Sequence, residues 1–116
     1  MKNIKHNDKR DMKENQFTTL EAQLNRHYKQ TSKSTWYNVW LRAKDGVSLE
    51  VTDKLYYDKV ECDYYHVVSA NCRIEQPQEA PPITMYRTDI CTYAELEALW
   101  QLLQRIKNKA QKHIRV

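Results

Sequence analysis

Residues 34–44 (STWYNVWLRAK) and 47–57 (VSLEVTDKLYY) are two eleven-residue runs separated only by Asp45-Gly46. Asp-Gly is the preferred two-residue link of a tight hairpin, because both positions need positive φ. Both runs are rich in β-branched and aromatic residues, so they are expected to be antiparallel strands. In such a hairpin the numbers of facing residues sum to 91. A third run, 60–70, follows the weaker turn signal Asp58-Lys59, and there facing residues are expected to sum to 117. Side chains alternate across a sheet with period two, so these registers sort the chain into two faces. One face collects Trp36, Trp40, Val47, Leu49, Val51, Leu55, Tyr57, Val60, Cys62, Tyr64, His66, Val68 and Ala70, with Asn38, Arg42, Lys44 and Asp53 as polar intruders. The other carries Tyr37, Val39, Leu41, Glu50, Lys54, Tyr56, Glu61, Asp63, Tyr65 and Val67. Most large apolar residues fall on the first face, which is therefore the expected core side.

Working outward, Cys72–Gln76 reads as a short fourth strand and Ile83–Asp89 as a fifth. Pro77, Pro81 and Pro82 mark a loop between them, since proline donates no ladder hydrogen bond. Upstream, Thr18 with Glu21 fits a capping box, and Leu20, Leu24 and Tyr28 form a stripe, predicting a helix over 18–30 that ends at TSKS, 31–34. Downstream, Thr92 with Glu95 opens a long helix to about residue 112, with Leu96, Leu99, Leu103, Ile106 and Ala110 as its seam and Trp100 and Leu102 beside it. Residues 1–16 lack periodicity and read as a flexible basic arm. The expected fold is one α+β domain over 17–116. An antiparallel sheet of four or five strands with a meander core is flanked by an N-terminal helix and a longer C-terminal helix. Both helices are expected on the Trp36/Trp40/Leu49 side.

Composition excludes several activities. Gly46 is the single glycine, and phosphate-cradling loops need several, because only glycine lets backbone N–H groups crowd a phosphate. The net charge of +4 divides unevenly: residues 1–35 carry +4, 36–105 carry −4 and 106–116 carry +4. The basic ends thus surround an acidic middle. Three cysteines, Cys62, Cys72 and Cys91, form no disulfide framework. With no apolar leader at the start and no apolar run of membrane-spanning length, they point to a soluble cytoplasmic protein.

Cys62, His66 and Cys72 have a zinc-like spacing, but on a strand the first two would lie about 13 Å apart at roughly 3.3 Å per residue, too far to share an ion. The same distance separates a Cys–His nucleophilic pair. Glu61 and Asp63, two apart on one strand face, suit an acid–base pair, though a cross-strand contact from Lys54 to Asp63 explains them as well. No catalytic residue, metal or cofactor is therefore expected, and the protein is not expected to be an enzyme. Eight tyrosines and three tryptophans against one phenylalanine suggest a contact surface, since tyrosine offers large area with a polar tip. Tyr37, Tyr56, Tyr65, Glu50, Glu61 and Asp63 are the expected partner-binding residues. The expected role is a non-enzymatic binder, a small inhibitor or adaptor of the kind phages and mobile elements encode, occupying a protein or nucleoprotein surface. The alternative is a nucleic-acid-binding accessory protein using the arm and Arg105, Lys107, Lys109, Lys112 and Arg115 at the helix end. A dimer through the C-terminal helix seam is a further expectation.

Overall fold

The computed structural model describes residues 11–75, 82–87, 90 and 92–115. Seven elements follow in order: α1 (Glu14–His27), β1 (Lys29–Ser32), β2 (Tyr37–Lys44), β3 (Val47–Asp58), β4 (Asp63–Ile74), β5 (Ile83–Arg87) and α2 (Tyr93–Arg115). The strands form one antiparallel meander, β1-β2-β3-β4-β5. The protein is thus an α+β domain with the longer helix last.

The hairpin at Asp45-Gly46 forms as expected, with φ of 52° and 79° at its two positions, and β2 pairs with β3 from Lys44↔Val47 to Tyr37↔Lys54. The next register differs. β3 pairs with β4 from Asp58↔Asp63 to Val47↔Ile74, so facing numbers sum to 121 rather than 117. The Asp58 carboxylate accepts a hydrogen bond from the Val60 N–H at 3.0 Å and organises a longer turn over 59–62. Val60 and Cys62, expected on the core face, sit in that turn and are exposed. The difference of four is even, so every remaining residue keeps its face. His66 faces Leu55 instead of Val51, and Lys54 faces Val67 instead of Asp63.

Two further expectations are corrected. The segment Lys29–Ser32 is a strand; it pairs with β2 through Lys29↔Leu41, Gln30↔Trp40 and Ser32↔Val39 around a bulge. The fragment starting at Cys72 is no separate strand but the end of β4, kept in register by β5 up to Ile74↔Ile83. Helix α1 begins at Glu14 and not at Thr18. The Gln16 side chain accepts from the Lys13 N–H at 3.1 Å, while the Thr18 hydroxyl donates to the Glu14 carbonyl inside the helix. Residues 11–16, expected within the arm, are part of the fold: Met12 is buried and its backbone exchanges hydrogen bonds of 3.0 and 2.8 Å with that of His66. Residues 1–10 lie outside the described residues. The capping box of α2 forms as expected, with reciprocal 3.2 Å bonds between Thr92 and Glu95.

Both helices pack on the face of Trp40, Leu49, Val51, Val68 and Ala70. Phe17, Leu20 and Leu24 of α1 and Leu96, Leu99, Trp100 and Leu103 of α2 complete the core. Of the seam that invited a dimer, Leu96, Leu99 and Leu103 are buried against the sheet and Ile106 is partly buried. Trp40 is fully buried and its indole N–H donates to Asn25 at 2.8 Å. Arg42, an intruder on this face, lies 4.3 Å from the Trp100 ring and pairs with Glu97 at 3.0 Å. Its position pushes a charge over a ring face, where it is attracted by the ring quadrupole. Beside it the buried Tyr28 phenol is pushed up to about 12, by burial foremost. Leu49 has no exposed surface, so Leu49→Ala is expected to lower unfolding free energy by about 3 kcal/mol. Gly46→Ala is expected to lower it by about 1 kcal/mol, because alanine is strained at positive φ. Urea titration of the two variants checks both, and the order of the two losses should not invert.

Candidate interaction surface

β3 and β4 run on past their neighbours. β2 starts at the Tyr37↔Lys54 pair, and β5 meets β4 only from Ala70 onward. Residues 56–65 therefore form a two-stranded ribbon around the 59–62 turn. Among the described residues the exposed large hydrophobics are Trp36, Tyr37, Tyr56, Tyr57, Val60, Tyr64 and Leu102. All but Leu102 lie on this ribbon or where β2 enters the sheet beside it. Trp36, expected beneath a helix, is 53% exposed, because it precedes β2 and lies beyond the core. On the core-side face, the Trp36 and Tyr64 rings are 5.9 Å apart and Tyr57 and Tyr64 are 4.9 Å apart. On the opposite face, Tyr56 and Tyr65 stack at 5.5 Å. The Lys54 ammonium lies 6.0 Å from the Tyr37 ring centre.

The residues expected to bind a partner are only partly brought together. Tyr37 and Tyr56 are exposed and Tyr65 is half-buried, all on the sheet face opposite the helices. Glu50 lies further along that face, on a shallow depression of about 310 Å³ with Leu41, Ser48, Asn71, Arg73 and Thr84. Glu61 leaves the strand for the turn, which dissolves the Glu61/Asp63 pair on one strand face. Asp63 instead pairs with Lys13 at 3.0 Å, and this hydrogen bond, with one from the Tyr64 N–H, holds its carboxyl below the usual range. The expected set of three tyrosines and three carboxylates thus reduces to a cluster of rings at one end.

The described helix-end cations of the alternative surface lie at the opposite end, while Lys13 of the arm sits beside the ribbon on Asp63. Lys107 reaches the Asp45 carbonyl in the β2–β3 turn, and Arg105 and Lys109 are exposed on α2. The 12 residues of β3 separate that turn from the ribbon end, roughly 36 Å at about 3.3 Å per residue. The side chains of Lys112 and Arg115, like Cys91, lie outside the described residues.

Between α1 and the start of the ribbon lies a cleft of about 590 Å³, bounded by Glu14, Phe17, Glu21, Lys33, Ser34, Thr35, Asn38, Leu55 and His66. Asn38 and His66 line it, and behind them lies the buried Asp53, which with Asn38 the sequence showed only as a polar intruder. His66 Nδ1 is 2.8 Å from Asp53 and Nε2 is 2.9 Å from Glu14, while Phe17 stacks on the imidazole at 3.9 Å. The second Asp53 oxygen accepts from Asn38 at 3.2 Å, and the Asn38 oxygen accepts from the Ser34 N–H at 3.1 Å. An ionised carboxylate only accepts, so both contacts of His66 are satisfied together only by an imidazolium. Burial opposes that charge, but the Asp53 and Glu14 carboxylates outweigh it and hold the His66 pKa above its ordinary value. With both ring nitrogens occupied, His66 is not presented to Cys62 or Cys72, which sit in the turn and in the core. The period-two face assignment was the signal that could have found this network, because it set Asn38, Asp53 and His66 on one buried face.

No protein-family model, curated protein or solved structure matches this chain.

A pKa raised in the folded state means that the native protein holds the His66 proton more tightly than the unfolded chain. The stabilisation is complete below the unfolded value of about 6.5 and fades as pH rises through the folded one. Glu14 is 72% exposed, so Glu14→Gln should fold normally. It is expected to lower the His66 pKa measured by NMR titration and to shrink the loss of stability between slightly acidic and alkaline pH. Identical titration curves for variant and wild type would count against the coupling.

Proposed function

We propose that this chain is a non-enzymatic binding protein that occupies a protein or nucleoprotein surface with the aromatic end of its β3–β4 ribbon. One observation carries the reading. The exposed large hydrophobics are concentrated around a ribbon that projects past the core, where they add nothing to core packing. Solvent-facing aromatics grouped in this way are a hallmark of contact surfaces, since buried rings contribute much of an interface's energy. The role is that of a small inhibitor or adaptor of phage or mobile-element type in the cytoplasm, a compartment that keeps Cys62 and Cys72 reduced. Relative to the six residues expected from sequence, the reading keeps Tyr37, Tyr56 and Tyr65, adds Trp36, Tyr57 and Tyr64, and gives Glu50, Glu61 and Asp63 a lesser part.

A second reading, backbone-directed nucleic-acid binding, is favoured by the acid-free segment 106–116 and the exposed Arg105 and Lys109. Because Arg105 and Lys109 sit far from the ribbon, the two contact sites can be tested separately. A photo-crosslinking phenylalanine analogue in place of Tyr57 is expected to yield a discrete protein adduct in the native host, whereas the same analogue in place of Lys109 yields none. Adducts from position 109 alone, or from neither position, would refute the ribbon as the contact surface.

A further inference from the structure

We propose that the groove running from the α1 cleft onto the ribbon takes an extended polypeptide segment bearing arginine or lysine. One cation would lie over the Trp36, Tyr57 and Tyr64 rings and another would meet Glu21, next to the Glu14 that His66 already engages. This deepens the ribbon reading and rests on it.

The cleft and the rings are continuous. Leu55 and His66 face one another in the cleft wall, and the next pair on the same face is Tyr57 and Tyr64. Trp36 joins them because its carbonyl accepts from the Leu55 N–H at 3.1 Å. A chain leaving the cleft therefore passes directly onto three exposed ring faces. The charges complement a cationic occupant. Glu14, Glu21 and the buried Asp53 outnumber the two cations at the described lining, Lys33 and the His66 imidazolium that Asp53 and Glu14 hold. Lys13 is held by Asp63, and Lys54 lies over Tyr37 on the other sheet face. Ring faces carry negative quadrupole density that attracts guanidinium and ammonium groups. The protein already uses this attraction within its own fold, with Arg42 placed 4.3 Å from the Trp100 ring centre. A polyanion would meet the carboxylates unfavourably, and the two-part groove suits a chain rather than a free amine.

The test uses the full chain and a synthetic peptide of alternating arginine and serine, with glutamine-for-arginine and glutamate-for-arginine versions as controls. Trp40 and Trp100 are buried while Trp36 is exposed, so a binding-dependent change in tryptophan emission reports mainly on Trp36, and calorimetry confirms the affinity. The arginine peptide is expected to bind at least about tenfold more tightly than the glutamine peptide. Tyr57→Leu combined with Tyr64→Leu, and separately Glu21→Gln, should each weaken it several-fold without lowering Tm. Equal binding of the glutamine peptide, or unchanged binding by both variants, overturns the inference. So does a Trp36 response to oligothymidylate in place of the peptide, or to protein concentration alone, which would make the occupant a nucleic acid or a second copy. The two levels fail differently. If the Tyr57 crosslink persists but excess arginine peptide does not compete with it, the cationic occupant is wrong and the ribbon reading stands. If the Tyr57 crosslink is silent, the ribbon reading itself falls.

Discussion

A carboxylate with no solvent-exposed surface organises this protein. Asp53 lies among apolar neighbours on the core face of β3, and an unpaired charge there would be strongly destabilising. It is tolerated because His66 and Asn38 complete its hydrogen bonds, and each partner brings another element with it. Asn38 anchors the Ser34 backbone before β2, and His66 ties in Glu14 at the start of α1. The Met12–His66 backbone pair closes the same junction. A single buried charge thereby sets where the N-terminal segment enters and where the loop before β2 lies. Those two boundaries define the cleft.

The same junction marks where the packed core stops. Up to Val51 and Ala70 the inner face of β3 and β4 is apolar and covered by helices. At Asp53 and His66 it turns polar, and beyond Leu55 neither helix covers it among the described residues. Trp36, Tyr57 and Tyr64 share their strand parity with Trp40 and Leu49 yet meet solvent. The polar network seals the core so that the ribbon can project without exposing it, which separates the part that stabilises the fold from the part available for contact.

Much of the fold was legible from residues 34–57, because Asp-Gly at a hairpin and period-two alternation are local and strong signals. The C-terminal helix was equally clear from Thr92, Glu95 and the leucine seam. Three features were not. β1 has the polar sequence KQTS and forms because β2 offers it an edge, which no local pattern records. The 59–62 turn depends on the Asp58 side chain reaching the Val60 N–H, a contact indistinguishable in sequence from the two-residue alternative. The start of α1 depends on Gln16 reaching back to Lys13, whereas Thr18 offered the stronger motif. For the candidate surface, parity placed the tyrosines correctly but said nothing of depth. Trp36 looked buried because its face was the core face, and only the lengths of the neighbouring strands show that the core ends before it.

The even offset in the β3–β4 pairing also bears on how such a protein could diverge. Adding or deleting one residue in each arm of the hairpin would exchange the sides on which its rings sit, while adding or deleting two would alter only how far the finger extends. Since the helices touch neither arm near the apex, lineages could tune its span in steps of about two residues per arm, roughly 7 Å each, leaving the sealed interior undisturbed.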